Sequence, residues 1–169
     1  MHEIEGDYPA AIACFRQAQQ VSTDLGDSWG YINALINLGT LERKAADYAT
    51  AELHTRQALE FARDCPDRYR QAFIINELGV QQRLSGDYQA AAVSLGHALE
   101  EFREIGQIDG IAMASNDLGV LQQLTGEYQA AATSHREALE IYSDCGRRPG
   151  QAEVLNSLGE LFIRTGDHR

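Results

Sequence analysis

A unit of about 40 residues recurs along the whole chain, and nothing else in the sequence restricts its fold as tightly. Asn116-Asp117-Leu118-Gly119 leads into Thr125-Gly126-Glu127-Tyr128, then Ala131 and Ala138-Leu139. One period earlier stand Asn76-Glu77-Leu78-Gly79, Ser85-Gly86-Asp87-Tyr88, Ala91 and Ala98-Leu99. One period before that stand Asn37-Leu38-Gly39, Ala45-Ala46-Asp47-Tyr48, Ala51 and Ala58-Leu59. One period later come Asn156-Ser157-Leu158-Gly159 and Thr165-Gly166-Asp167. Residues 86–105 and 126–145 match at 10 of 20 positions, more than shared patterning alone produces.

Each unit reads as two helical runs. Ala11, Ile12, Phe15, Ala18, Ser22 and Leu25 recur at helical spacing between Tyr8 and about Leu25, and Gly26 stands where a left-handed cap would stop the run. Leu35, Leu38 and Leu41 stripe a helix over about 30–44. The same pair is expected at about 48–64 and 69–85, at 88–105 and 109–125, and at 128–145 and 149–165. Asp47, Asp87 and Asp167, with Glu127, precede the apolar runs, where acidic groups suit a helix N-terminus. The connectors carry Gly26, Pro66, Gly106 and Gly146, residues that end helices sharply. Gly39, Ala51, Ala58 and their equivalents let paired helices approach closely. Alanine-rich helical runs exclude the four-stranded blades of a propeller, which share this period.

Composition narrows the function classes. The net charge of −11 repels phosphate backbones and anionic lipid, so neither nucleic acid nor membrane suits this segment as a partner. No apolar run reaches the roughly 20 residues of a membrane span, and the first residues do not form a leader, so the cytoplasm is the expected compartment. Of 14 basic residues only Lys44 is lysine, a bias that points to a GC-rich coding genome. Cys14, Cys65 and Cys145 are odd in number and lack paired spacing, so they are expected as buried, reduced thiols. His2, His54, His97, His135 and His168 do not recur as metal ligands, and His54 and His135 are expected as packed or surface side chains. No phosphate loop or nucleophile–base set is present, so neither a cofactor nor an enzyme activity is expected.

At Leu78-Gly79, Gly86-x-Tyr88 and Ala91-x-x-x-Leu95-x-x-Ala98 the chain resembles the tetratricopeptide repeat (TPR) family. The resemblance covers nearly the whole chain. Thr55 and His135 replace a large apolar residue, Ala46 replaces the turn glycine, and the period exceeds the usual 34. This longer form is similar to repeats of kinesin light chains, polarity scaffolds, bacterial signalling ATPases and actinobacterial antibiotic-pathway regulators. It implies an all-α fold: a right-handed α-solenoid, here with seven full helices plus stubs. One array is expected over residues 1–169, with a lone second helix at 7–26, complete repeats at 29–66, 69–106 and 109–146, and a lone first helix at 149–165. With no polar capping helix in view, the chain reads as a piece of a longer array. Helix 149–165 is then expected to stack head to tail on helix 8–25 of a neighbour.

In this family the first helices line a concave groove. The resemblance places there Asn33, Asn37 and Arg43, then Phe73, Asn76, Val80 and Arg83, then Met113, Asn116 and Val120, and finally Asn156. Glu77, Asp117, Ser157, Glu153 and Glu160 share those faces. Asn76, Asn116 and Asn156 recur at one repeat position, with Asn37 displaced by one, and an amide both donates and accepts toward a peptide backbone. Phe73, Val80, Met113 and Val120 would form apolar pockets beside them. Arg43 and Arg83 would meet acidic groups of a partner. The basic quartet of chaperone-binding repeats is absent, which argues against chaperone tails. Two readings follow: a protein-interaction scaffold holding a peptide or helix segment, or an intramolecular sensor or autoinhibitory arm of a larger ATPase or transcription regulator.

Overall fold

The computed structural model describes residues 7–63 and 66–166, and all eight of their regular elements are helices. Among the described residues each range expected to be helical holds a helix, eight in all rather than seven with stubs. The chain forms two compact units that divide after Pro66. The first holds α1 (Tyr8–Leu25), α2 (Ser28–Lys44) and α3 (Tyr48–Ala62). The second holds α4 (Arg68–Ser85), α5 (Tyr88–Glu104), α6 (Ile108–Thr125), α7 (Tyr128–Asp144) and α8 (Arg148–Thr165). Within each unit, helices adjacent in sequence pack together, and in the second α4 also meets α6 and α6 meets α8. No helix among the described residues is long and apolar enough to cross a membrane.

The helix ends obey a 20-residue rule, half the repeat. Asp7, Asp27, Asp47, Asp67 and Asp87 each accept the backbone N–H three residues ahead, at 3.0–3.2 Å. Each bond satisfies one of the free donors of a first helical turn. The series stops at Gln107, Glu127 and Arg147, none of which makes a side-chain cap. Glu127 stands at the N-terminus of α7 as expected, and its carboxylate accepts from Thr125 Oγ1 at 2.9 Å rather than from the first turn. Asp167 lies outside the described residues. At the other ends the chain reverses through left-handed backbone at Gly26, Gly86, Gly106, Gly126, Gly146 and Gly166, with φ between 65° and 89°. Ala46 takes the same turn with φ 61° and is the one described non-glycine residue to do so. After Gly26, Ala46, Gly86, Gly106, Gly126 and Gly146 the next residue reaches back five positions, as Asp27 N–H does to Ser22 O and Asp87 N–H to Gln82 O.

Small residues set the helix spacing. In the second unit Ala91, Ala98, Ala131 and Ala138 are fully buried, as are Ala51 and Ala58 in the first. A Cβ on Gly79 would lie 2.7 Å from the Leu95 side chain, so α4 and α5 touch through a glycine. A Cβ on Gly119 would lie 2.7 Å from the His135 ring in the same way. Val80, Ala91, Leu95 and Leu121 form one apolar cluster, and Ala72, Ala98, Leu99, Phe102 and Ala114 form another. Alanine and leucine are strong helix formers, so propensity and packing act together here. Cys14 and Cys145 depart from expectation: both are exposed free thiols. Cys65 lies outside the described residues.

Candidate functional site

The first helices of the second unit's repeats, α4, α6 and α8, lie side by side and share a row of polar contacts. Asn76 Nδ2 on α4 donates to Asp117 Oδ2 on α6 at 2.8 Å. Asn116 Nδ2 on α6 donates to Glu153 Oε1 on α8 at 3.4 Å. Gln123 Nε2 on α6 donates to the backbone carbonyl of Ser157 on α8 at 2.8 Å. A repeated residue therefore makes a repeated bond to the next repeat, with carboxylates as the acceptors.

This row revises the expected role of the asparagines. Asn76 is 0% exposed and Asn116 is 4% exposed, so both lie beneath the surface rather than on it. Their amide N–H groups are already engaged by carboxylates. Asn116 Oδ1 also sits 3.0 Å from His135 Nδ1, while Asn76 Oδ1 is buried with no hydrogen-bond partner. Val80 is buried in the apolar cluster with Leu95, and cannot line an open pocket. Phe73, Arg83, Met113 and Val120 remain partly exposed, and Asn156 is exposed. In the first unit Asn37 is exposed, while Asn33 and Arg43 are partly buried. Arg43 Nε is buried without a hydrogen-bond partner.

The residues that gain prominence are the acids beside the asparagines. Burial pushes the Asp117 carboxyl up to about 6; Glu77 and Glu153 add to the rise, and the Asn76 bond and Arg83 charge oppose it. The Asp117 carboxyl on α6 thus feels the charges of Glu77 on α4 and Glu153 on α8. Phe73 and Met113 pack at the edge of the neighbouring apolar cluster, which places apolar surface beside the acids. The sequence carried a signal for this: the asparagine is followed by an acid in Asn76-Glu77 and again in Asn116-Asp117. The amide was the more visible feature because it recurs in every repeat.

His135 is fully buried under Gly119, and burial lowers its pKa to about 4. The ring is therefore neutral at pH 7. Because Asn116 Nδ2 points to Glu153, its Oδ1 is left to accept, and Nδ1 of His135 carries the proton. Nε2 has no partner. His54 instead lies 2.7 Å from Glu42 through Nδ1. Among the described residues, no three His, Cys, Asp or Glu side chains converge as metal ligands.

The Tetratricopeptide repeat pattern matches residues 1–64, 70–144 and 110–169. The chain belongs to the tetratricopeptide repeat family. Among solved structures, BtubC from P. vanneervenii is similar at a TM-score of 0.81 and 22% identity, covering 95% of this chain and 68% of that one. A Rap protein complexed with competence and sporulation factor has a TM-score of 0.81 at 17% identity, covering 95% of this chain and 48% of that one. A signal transduction ATPase with a tetratricopeptide repeat sensor, from Pyrococcus horikoshii, has a TM-score of 0.64 at 13% identity, covering 95% of this chain and 28% of that one. At these identities the likeness is one of fold. None of the curated protein sequences matches the chain. The TPR hairpin accounts for the buried glycine seams and the αL turns, and it makes α4, α6 and α8 three successive first helices.

Proposed function

We propose that this chain is a non-catalytic protein-interaction module whose α4–α6–α8 face holds a positively charged peptide or helix segment. The observation that carries this reading is the row of Glu77, Asp117 and Glu153 set beside partly exposed Phe73 and Met113. The buried asparagines are positioning residues: Asn76 and Asn116 aim two of the three carboxylates. A lysine, arginine or terminal amine of a partner would relieve their mutual repulsion, and an adjacent apolar side chain would lie against Phe73 and Met113. Val120 and Asn156 extend the face. The Rap neighbour, complexed with competence and sporulation factor, supports partner binding by a fold of this kind. The likeness to a sensor within a larger ATPase supports a second reading, in which the same face works within a longer polypeptide. A nucleotide-binding domain on that polypeptide would favour it.

The test is fluorescence anisotropy with two labelled amphipathic helical peptides, one carrying lysines and the other glutamates on its polar face. The lysine peptide binds and the glutamate peptide does not. Asp117→Asn with Glu153→Gln weakens binding by about 1–3 kcal/mol while circular dichroism is unchanged. Affinity for the lysine peptide rises with pH through about 6, as Asp117 ionises. Equal binding of both peptides, or binding indifferent to the double substitution, contradicts the proposal.

A further inference from the structure

We infer that His135 is a positioning residue of the acidic face: through the Asn116 amide it fixes how Glu153 is presented to a cationic partner. This role rests on the acidic face being the binding face, and it belongs to a side chain that never meets the partner itself.

His135 occupies a slot that leucine fills one repeat earlier. A Cβ on Gly119 would lie 2.7 Å from the His135 ring, and a Cβ on Gly79 would lie 2.7 Å from the Leu95 side chain, so both residues fill the same place under the same glycine. Both are fully buried. An imidazole in that slot gives up its hydration, and its Nε2 finds no partner there. Leucine fills the slot without that cost. What the ring makes in return is a contact from Nδ1 to Asn116 Oδ1 at 3.0 Å.

The Asn116 amide has two ways to sit, related by a half-turn that exchanges Oδ1 and Nδ2. With Oδ1 toward His135, Nδ2 donates to Glu153 Oε1 at 3.4 Å. Turned over, Oδ1 would face that carboxylate and Nδ2 would face the ring. A ring with its proton on Nδ1 admits the first arrangement alone, because the second sets one N–H against another. The ring proton thus holds the amide, and the amide N–H holds Glu153. Glu153 has the most to gain from being held: it is exposed, whereas Glu77 and Asp117 are partly buried, and a free glutamate side chain has many rotamers to lose on binding.

The other two hairpins lack this link. In α4–α5 Leu95 has no donor, and Asn76 Oδ1 is buried without a partner, so the 2.8 Å bond to Asp117 Oδ2 orients that amide from one side only. In α2–α3 the two positions carry Ile36 and Thr55, and Thr55 Oγ1 donates to its own helix at Ala51 O, 3.1 Å away. Buried asparagine and buried histidine occur together where the acid ahead of them is exposed.

The test begins on the free, isotopically labelled chain at pH 7. Long-range NMR correlations place the His135 proton on Nδ1, and the Asn116 side-chain N–H pair is protected from exchange with solvent. His135→Leu puts into the slot the side chain that fills it under Gly79. That variant folds with a melting temperature at or above the wild type, whereas a residue that only packed would lower stability and affinity together. Asn116 loses its protection, and Kd for the lysine-faced helical peptide rises about threefold to tenfold, the share one neutral hydrogen bond transmits. His135→Asn, whose Nδ2 stands where the ring carries Nδ1, restores the donor, the protection and most of the affinity. A proton on Nε2, an Asn116 amide unchanged by His135→Leu, or a lysine-peptide affinity that His135→Leu leaves untouched would each overturn the inference. A wild type that binds neither the lysine nor the glutamate peptide contradicts the acidic-face reading instead, and the tautomer and the amide spectrum then decide the link from His135 to Glu153 without any peptide.

Discussion

Ala46 holds a backbone conformation that its methyl group resists. Left-handed geometry costs an L-residue with a Cβ about 1–2 kcal/mol, and every other described residue with positive φ is glycine. Ala46→Gly removes that strain and keeps the reach of Asp47 N–H to Glu42 O. Part of the gain is offset because glycine makes the unfolded chain more flexible. A net rise of roughly 0.5–1 kcal/mol in urea unfolding is expected. His135 and Asp117 pull the acid stability of the fold in opposite directions. The His135 pKa falls from 6.5 to about 4 on folding, so its contribution is present above 6.5 and is lost as pH falls toward 4. The Asp117 pKa rises from 3.8 to about 6, so its contribution is present below 3.8 and is lost as pH rises through 6. Asp117→Asn should therefore steepen the loss of thermal stability between pH 6.5 and 4, and His135→Leu should flatten it. Melting temperatures across that range, each compared with the wild type, read both effects.

At the scale of the element, the ends of the helices matter as much as their faces. The backbone at Gln107 (φ −87°, ψ 90°) is close to that of the capping aspartates, such as Asp67 (φ −80°, ψ 86°). Gln107→Asp should place a carboxylate on a free N–H of the first turn of α6, for about 1 kcal/mol of added stability in chemical unfolding. The helices themselves were legible because leucine, alanine and glycine recur at the same offsets in every unit. All eight expected ranges agree with the structure to within about two residues; α2 begins at Ser28 rather than about residue 30, and α3 ends at Ala62 rather than about residue 64. The 20-residue rhythm of caps and turns was less visible, since Asp7, Asp27 and Asp67 precede weakly patterned segments.

For the whole molecule, periodicity specifies which helix pairs with which, because a repeated unit must bury the same stripe each time. It does not specify how deep a polar residue lies within the shared face. Asn76 and Asn116 sit at positions that face a groove on an ideal hairpin, yet the adjoining first helix covers them. That depth depends on the distance between α4, α6 and α8, which small residues such as Ala72 and Ala114 set through packing. Asn156, on the outermost of these helices, stays exposed. The acids beside the amides therefore offer the available chemistry, and the asparagines hold them in place.

The most direct test of that account is amide chemical-shift mapping of the isotopically labelled chain during titration with the lysine-faced helical peptide. The account predicts that saturable shifts concentrate at Phe73, Glu77, Met113, Asp117, Val120 and Glu153, on α4, α6 and α8. Saturable shifts concentrated on α5 and α7, with the acidic face silent, would contradict it.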